Sequence, residues 1–451
     1  GSRYIRELDS LRDLFVDPIT ERVLKRMGEP TTYPQLVKRA TEMLLLENHK
    51  RKLDPTEMRY RGAERIPGAV YNQMAQSIRE QRSKASRSNA KVEMNPYSVL
   101  KHTMSDPSLS LVEDINPVYN LKEISAITYT GHGGRSSRSM TREQRAMDPN
   151  DLGTLSEATV DSSDVGFNAY LSVAPRMANT EGMIKDPIGP SAGAASMLSP
   201  AALASAAIVC DDGKRIGMCS IQHSHTIACD SYTNNTVRTG FERTMAHQVD
   251  EGYATPAKLA GVVKSANGNG IVVEYEDGST QAIAIGRRFG KAGGMTLPHD
   301  MEAVYKTGET FAKGDILVYH KGFFKPDRFK KGVVNWMNGT IARTVFMESR
   351  KTHEDASSIT RELSERLGTK TTKVKKVTIA FNQTVKNLIK EGTAVNFDTI
   401  LCSIEDEVTA NNDLFDADTI NTLAMLSNQT PTAKMEGVVE RIEVYYNGSK
   451  D

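Results

Sequence analysis

Four arginines follow a glycine-rich stretch in the segment GHGGRSSRSMTREQR, at positions 131–145. Glycine lets backbone N–H groups approach an anion closely, and guanidinium groups bind phosphate oxygens through paired hydrogen bonds. The pattern is therefore typical of a loop that contacts phosphates, with a solvated surface loop as the alternative. The residues concerned are Gly133, Gly134, Arg135, Arg138, Arg142 and Arg145.

A second candidate is the segment DGKRIGMCSIQHSHTIAC at positions 212–229, which contains two cysteines and two histidines. Its Cys-x3-His-x-His-x3-Cys order fits no common zinc pattern. An extended strand would put His223 and His225 on one face, because side chains alternate along a strand. We therefore expect a strand that serves structure or substrate contact, and we keep metal binding by Cys219, His223, His225 and Cys229 as the alternative.

Two acidic groups offer carboxylates of the kind that bind Mg²⁺. The run NDLFDAD at positions 412–418 is one, although its composition favours a solvated linker between strands. Glu354 and Asp355 are the other, and they begin a helix predicted over 353–367. Acidic residues at that position also cap a helix N-terminus, which is the alternative interpretation.

A basic and aromatic segment, HKGFFKPDRFKKG, spans positions 320–332. Cations interleaved with aromatic rings can follow a nucleic-acid backbone. A solvated rim over a buried phenylalanine explains the pattern equally well, so both interpretations stay open.

The composition sets limits on these readings. The chain has 451 residues and a net charge of +1, so a nucleic-acid role would depend on local patches and not on a global field. No apolar run reaches the roughly 18 residues of a membrane helix. The four cysteines lack CxxC spacing, which argues against a disulfide framework and favours a reducing, intracellular setting.

The elements that must position these residues change along the chain. Residues 1–110 show helical spacing, with Pro30, Pro55 and Pro67 expected to separate helices. A loop-rich region follows to about 190, and Ser199-Pro200 marks a helix start within 191–210. After about 250, apolar runs joined by Asn-Gly-Asn-Gly predict hairpins and small barrels. The predicted class is α+β.

In this order, the stretches resemble the β subunit of multisubunit DNA-directed RNA polymerases. The segment INPVYNLKEISA is similar to the family's approach to the fork loop, and GGRSSRSMTREQRAMDPNDLG is similar to the fork loop itself. VDSSDVG stands where the family has P-E-G-P-N-I-G, and DDGKRIGM resembles D-D-A-N-R-A-L-M. HEDASSI is similar to F-E-D-A-I, and AGVVKSANGNGIVVE resembles the strands that follow.

The resemblance implies roles for single residues. Arg215 matches an arginine that contacts nucleotide phosphates, and Glu354 and Asp355 match two acids near the metal-bound phosphates; these three would be catalytic. Asp161 and Asp164 stand where the family has a glutamate and an asparagine beside the RNA 3′ end. The implied nucleic-acid-binding set is Gly133, Gly134, Arg138, Arg142, Arg145, Asp161, Asp164, Met218 and His225.

The resemblance also implies an organisation. A helical N-terminal lobe part would precede a loop-rich fork and core, followed by small β-barrel or sandwich-hybrid units. The expected divisions are 1–110 (lobe-like), 111–190 (fork loop), 191–250 (active-centre core), 251–350 (barrel or hybrid) and 351–451 (acidic-pair helix and strands toward the flap). The family's H-K-R-R run, H-G-N-K-G segment and clamp are missing, so the chain resembles a middle portion of β, as in the split polymerases of giant bacteriophages.

The implied activity is that of a subunit of a DNA-directed RNA polymerase, a nucleotidyltransferase, which is inactive alone. Mg²⁺ would be held mainly by a β′-like partner chain. Further partners would be the remaining part of β, a candidate promoter-specificity subunit, DNA template, RNA transcript and NTPs, without a membrane. The expected location is the host-cell cytoplasm, with the virion as an alternative.

Two other functions fit part of the pattern. A non-catalytic nucleic-acid-binding or virion structural protein would explain the basic-aromatic segment and the repeated strands, but not the ordered motifs. A biotinyl or lipoyl carrier domain would explain the G-D-I-L strands, but it requires a lysine at the tip of a matching hairpin, and none is there.

Overall fold

The computed structural model describes residues 4, 16–46, 59–60, 65–83, 93–131, 134–147, 151–176, 193–348, 350, 356–406 and 428–445. The chain divides into two compact units, residues 1–372 and 373–451. Helices and antiparallel sheets both contribute to the fold, so the predicted α+β class is confirmed. Within the described ranges no helix is both long and apolar enough to cross a membrane.

The N-terminal region is helical, as predicted. Pro30 lies between the first two helices, but Pro67 lies inside the first turn of the third and does not separate helices. A proline is tolerated there because first-turn N–H groups have no intrahelical acceptor. Pro55 lies outside the described residues. The helices are α1 (Pro18–Met27), α2 (Tyr33–Leu46), α3 (Arg65–Ser83) and α4 (Pro96–Met104).

A short antiparallel sheet joins the two ends of the loop-rich region. Helix α5 (Pro117–Ser125) runs directly into strand β2 (Ala126–Thr128). This strand pairs on one side with β1 (Arg59–Tyr60) and on the other with β3 (Asn168–Tyr170). Since β3 begins just after the VDSSDVG segment, the sheet holds that segment near the end of the INPVYN helix.

The helix expected within 191–210 is shorter than predicted. Ser199 caps its start, with its Oγ accepting from Ala202 N at 3.2 Å, so the helix-start signal is confirmed. The helix α6 (Pro200–Leu203) nevertheless ends within one turn, and Ala207 adopts a left-handed φ of 60°. A left-handed residue cannot continue a right-handed helix. Short 3₁₀ turns at Ala194–Ser196 and Ile208–Cys210 flank it.

The prediction of a strand around His223 is wrong. Residues 213–224 form helix α7 (Gly213–Ser224), and the short helix α8 (Phe241–Thr244) follows. Asp212 explains the difference: its side chain accepts a hydrogen bond from Arg215 N at 2.9 Å and so caps the helix N-terminus. The alternation of two histidines was a weaker signal than this local cap.

The β region contains two four-stranded sheets, with the orders β10-β5-β6-β7 and β4-β11-β9-β8. The Asn-Gly-Asn-Gly hairpin between β5 and β6 is confirmed, and Asn267 Oδ1 accepts from Asn269 N and Gly270 N, each at 2.9 Å. The strands are β4 (Ala254–Pro256), β5 (Gly261–Ala266), β6 (Gly270–Tyr275), β7 (Thr280–Ala284), β8 (Gly286–Ala292), β9 (Met295–Ala303), β10 (Thr310–Phe311) and β11 (Ile316–His320).

Strand β11 is buried along its whole length and contributes to two hydrophobic clusters. Leu317 and Val318 belong to the cluster inside the β region. Ile316 and Tyr319 belong to a second cluster, which also includes Val118 of α5. Helices α5, α6 and α7 and strand β11 of the first unit therefore contribute to one hydrophobic cluster.

The last elements are short. A hairpin of β12 (Phe324–Pro326) and β13 (Val334–Trp336) follows β11. Helix α9 (Arg361–Arg366), capped by Thr360, is shorter than the helix predicted over 353–367, and Glu354 and Asp355 lie outside the described residues. The second unit contains two strand pairs, β14 (Gln383–Lys386) with β16 (Ser403–Asp406) and β15 (Ala394–Val395) with β17 (Gly437–Val438).

Candidate functional site

Asn116 joins two segments that the sequence analysis singled out separately. Its Oδ1 accepts from Tyr119 N at 2.9 Å and so caps the N-terminus of α5. Its Nδ2 donates to the carbonyl oxygens of His223, Ser224 and Thr226 at 3.0, 2.9 and 2.7 Å. His223 and Ser224 are the last two residues of α7 and Thr226 lies just beyond it, where helix carbonyls run out of intrahelical donors; the His223 carbonyl also accepts from Thr226 N and Oγ1. One fully buried amide therefore fixes the INPVYN helix against the DGKR helix.

Arg215 lies in the first turn of α7 and is exposed. Its Nη1 lies 3.9 Å from Met218 Sδ, one turn further along the helix. The structure therefore brings together two of the predicted site residues on one face of the helix, as a spacing of three residues requires. Neither the guanidinium group nor its neighbour Lys214 forms an ion pair within the part of the chain that the structure describes.

A half-buried carboxylate, that of Glu157, lies in the segment against which α7 packs. Glu157 accepts from Ser199 N at 2.7 Å and from Ser199 Oγ at 2.5 Å, which ties the loop-rich region to the start of α6. Burial raises the pKa of Glu157, while the hydrogen bonds from Ser199 oppose that rise. The backbone carbonyl of Glu157 lies only 3.4 Å from where a Cβ on Gly217 would be. Helix α7 therefore packs closely on the segment that leads to Asp161.

The cysteine and histidine pattern does not form a metal site. Within the described ranges, no group of three or more His, Cys, Asp or Glu side chains converges. His223 Nε2 and Cys219 Sγ both lie 3.3 Å from Ser205 Oγ, and burial lowers the pKa of His223. Exposed His225 follows the last turn of α7, so the two histidines do not share a strand face. The residues described do not by themselves fit a Mg²⁺ ion.

The arginine loop depends on a close backbone approach at Gly134. A Cβ at this position would lie 2.4 Å from the carbonyl oxygen of Tyr129, so a side chain cannot be accommodated. Gly134 N donates to Gly131 O at 2.9 Å, and Arg135 N donates to Tyr129 O at 2.8 Å. Gly133 lies outside the described residues.

Arg145 is used inside the loop-rich region. Its guanidinium group donates to the backbone carbonyls of Ser137 and Ser163 and lies 5.9 Å from the centre of the Phe167 ring. Its own backbone carbonyl lies 2.3 Å from where a Cβ on Gly166 would be. Arg145 therefore joins the arginine loop to the VDSSDVG segment, and its guanidinium donors are directed to backbone carbonyls.

The other predicted residues of this region are at its surface. Arg138 is in a 3₁₀ turn (Ser137–Ser139) and Arg142 in the next turn, and both side chains are exposed. Asp161 is exposed, and Asp164 is half-buried with its backbone carbonyl accepting from Phe167 N and Asn168 N at 2.9 and 3.0 Å. No hydrogen bond or ion pair among the described residues joins Arg215 to this loop.

Sequence reasoning missed three residues that support the candidate site. Asn116 stood inside a quoted motif but was assigned no role, although Asn-Pro before an apolar helical run is a helix-start signal. Glu157 carried no signal, because its partner Ser199 is 42 residues away along the chain. The same holds for Lys122 beneath the short sheet, which lies 4.9 Å from the Tyr170 ring centre and whose pKa is lowered by burial.

Comparison with known proteins adds an independent observation. A family model described as "Bacteriophage RNA polymerase" matches residues 1–138. Residues 1–138, less than a third of the chain, are therefore similar to bacteriophage RNA polymerases. The match covers the helical region, Asn116 and the loop as far as Arg138, and it ends before Arg142, Arg145 and α7. No curated protein matches the chain.

Proposed function

We propose that this chain is part of the β subunit of a multisubunit DNA-directed RNA polymerase. In this proposal it contributes the fork loop and contacts to nucleotide and RNA phosphates. A separate β′-like chain holds the catalytic Mg²⁺, with Glu354 and Asp355 of this chain near the second metal. The family match over residues 1–138 supports a relation of that part of the chain to phage RNA polymerases.

The observation that carries the proposal is that Asn116 caps the N-terminus of α5 and also binds carbonyl oxygens at the C-terminal end of α7. The family-like segments INPVYN and DGKR are separated by about a hundred residues in the sequence. Asn116 contacts the end of the very helix whose first turn carries Arg215. Two motifs that one active centre would need are thus parts of one rigid arrangement.

The chemistry assigned to the site is charge stabilisation. Phosphoryl transfer requires positioned cations more than covalent help from the protein. An arginine suits this task because it stays charged and offers a planar fork of donors. Arg215 is exposed and forms no ion pair with a described residue, so its guanidinium group is available to a triphosphate or an RNA phosphate.

The loop residues have different roles in this proposal. The exposed guanidinium groups of Arg138 and Arg142 contact the DNA backbone at the downstream fork, without reading sequence. Arg145 acts through the loop conformation, because its donors already bind backbone carbonyls. Asp161, Asp164, Met218 and His225 remain proposed neighbours of the RNA and template.

The decisive experiment is elongation by the assembled polymerase with Arg215→Ala. Removing a preorganised cation from the reacting phosphates should slow extension by about tenfold or more. Lys264→Ala is the matched control, because Lys264 pairs with Glu274 on the exposed face of the β5–β6 hairpin. Wild-type extension by Arg215→Ala enzyme would refute the assignment.

Purification of the native complex tests the subunit arrangement. The proposal requires co-purification with β′-like chains that carry an N-A-D-F-D-G-D type motif. RNA synthesis by this chain alone would contradict the split-subunit arrangement. Isolation as a lone homo-oligomer without transcription activity would favour the alternative, a non-catalytic nucleic-acid-binding or virion structural protein.

A further inference from the structure

The turn between β12 and β13 presents cations and an aromatic ring together on a rigid base. Phe329 is 97% exposed at this turn, and Lys325, Arg328 and Lys330 are exposed around it. None of these three cations forms an ion pair within the described residues. The fork and the α7 site do not include this turn, so it needs an explanation of its own.

The base of the turn is anchored in the core. Phe323 and Trp336 stack with their ring centres 5.6 Å apart, and they are 1% and 2% exposed. Phe324 packs edge-on against the same indole at 5.4 Å. Because side chains alternate along a strand, burial of Phe324 directs Lys325 outward. The hairpin therefore holds its tip in a fixed direction.

Asp327 fixes the conformation of the tip itself. Its Oδ1 accepts from the backbone N of Phe329 at 2.9 Å and of Lys330 at 3.3 Å. Its Oδ2 accepts from Asn335 Nδ2 and Arg243 Nη2, each at 3.1 Å. These bonds lower the pKa of Asp327 to about 2, so the carboxylate stays ionised and occupied. Asp327, the one acid within the turn, thus binds backbone N–H groups, Asn335 and Arg243, and it forms no ion pair with Lys325, Arg328 or Lys330.

The neighbouring lysines show the contrast. Lys331 pairs with Glu309 at 2.7 Å, and Lys321 lies 3.6 Å from Asp300. These two lysines have carboxylate partners, whereas the three cations beside Phe329 have none among the described residues. An exposed ring flanked by uncompensated cations is complementary to a strand that offers phosphates and unstacked bases.

We propose that this turn, defined by Lys325, Arg328, Phe329 and Lys330, binds single-stranded nucleic acid, with a base stacked on Phe329 and the cations on the phosphates. The proposal does not depend on the fork assignment, because it concerns another surface. It recognises the backbone and a base face, so either RNA or DNA strands satisfy it and sequence is not read.

Binding of labelled oligonucleotides to the purified chain tests this inference, with single-stranded RNA, single-stranded DNA and duplex DNA measured in parallel. Phe329→Ala should weaken single-strand binding about tenfold, because stacking on an aromatic side chain contributes about 1–3 kcal/mol per base. Phe329→Trp should retain binding. Phe381→Ala is the matched control, since Phe381 is 99% exposed but has no charged residue within three positions.

The cations are tested through salt dependence. Replacing Lys325, Arg328 and Lys330 together by alanine should reduce the slope of log affinity against log salt by about 2, since each phosphate contact on a single strand contributes about 0.7. Unchanged single-strand affinity in Phe329→Ala would overturn the proposal, as would an equal loss in Phe381→Ala. If Phe329→Ala or the triple alanine variant lost a partner protein chain on purification of the complex but still bound oligonucleotides, the proposal would also be overturned. The turn would then be a subunit interface.

Discussion

Asn116 Nδ2 donates to the carbonyl oxygen of Thr226 at 2.7 Å, although the two residues are 110 positions apart in the chain. The same side chain begins α5 through its Oδ1 and closes the end of α7 through its Nδ2. A single amide can do both because it has an acceptor and two donors. Asn116 therefore links the start of α5 to the end of α7, in addition to the hydrophobic cluster that the two helices share.

Asn116→Ala should lower the free energy of unfolding by roughly 2–4 kcal/mol. The loss of an N-cap costs about 1 kcal/mol, and the loss of the buried hydrogen bonds from Nδ2 adds about 1–3 kcal/mol; the His223 carbonyl keeps Thr226 N and Oγ1 as donors. Urea denaturation at neutral pH measures the change. Asn95→Ala is the control, because exposed Asn95 caps α4 through Tyr97 N only. A loss in Asn116→Ala no larger than in Asn95→Ala would refute the double role.

Two buried histidines form a second long-range connection, which predicts a pH dependence of stability. Gly322 N donates to His320 Nδ1 at 3.0 Å, so the proton of His320 is on Nε2, which lies 2.9 Å from His299 Nδ1. His299 Nε2 then donates to the carbonyl of Asp114 at 2.9 Å. The chain of hydrogen bonds requires both rings to be neutral.

Burial lowers the pKa of both rings, that of His320 to about 3, and Arg288 nearby acts in the same direction. Unfolded histidines take up protons near pH 6.5, whereas the folded ones resist until a lower pH. Their contribution to stability is therefore complete above about pH 6.5 and is lost as the pH falls below it. Each histidine should reduce the unfolding free energy by about 1.4 kcal/mol per pH unit in that range.

Denaturation of the wild type and of His320→Gln between pH 7 and pH 5 measures this effect. The variant should show a shallower pH dependence, because it retains only one of the two buried rings. Exposed His225→Asn is the control and should keep the wild-type slope. Equal slopes for the wild type and His320→Gln would show that the pair does not control the acid response.

The sequence predicted those features that depend on neighbouring residues. Ser199-Pro200 marked a helix start, and the Asn267–Gly270 turn marked a hairpin, because caps and tight turns are local. The prediction of a strand around His223 was wrong, because two alternating histidines are a weaker structural signal than the helix cap at Asp212. Asn116 with Thr226, Glu157 with Ser199 and His299 with His320 could not be predicted, since each pair meets only through tertiary packing.

Arg145→Ala should loosen the arginine loop without unfolding the unit. Its guanidinium group binds the backbone carbonyls of Ser137 and Ser163, so its removal frees the loop from the VDSSDVG segment. Limited trypsin digestion should cut faster after Arg138 and Arg142, with the thermal midpoint little changed. Lys264→Ala is the control, because Lys264 pairs with Glu274 on the β5–β6 hairpin, outside the loop, and its replacement leaves both cleavage sites intact. Unchanged cleavage in Arg145→Ala would show that the contacts of Arg145 with Ser137 and Ser163 do not order the loop.

Gly332 shapes the base of the basic-aromatic turn, and its replacement gives a further prediction. It has a φ of +81°, and a Cβ there would lie 2.5 Å from Asp315 Cγ and 2.6 Å from the Tyr305 hydroxyl. These two side chains already share a hydrogen bond of 2.7 Å. Gly332→Ala therefore combines backbone strain with a steric clash, and it should cost more than the roughly 1–2 kcal/mol of a left-handed residue alone.

Gly314→Ala separates the two contributions. Gly314 has a nearly equal φ of +85° but open space around the Cβ position, so only the backbone strain applies. Thermal or urea denaturation should place Gly332→Ala below Gly314→Ala in stability by at least about 1 kcal/mol, the usual cost of overpacking. If the two variants were equally stable, Asp315 and Tyr305 would have to move without cost, and the turn that carries Phe329 would be less rigidly supported than its contacts indicate.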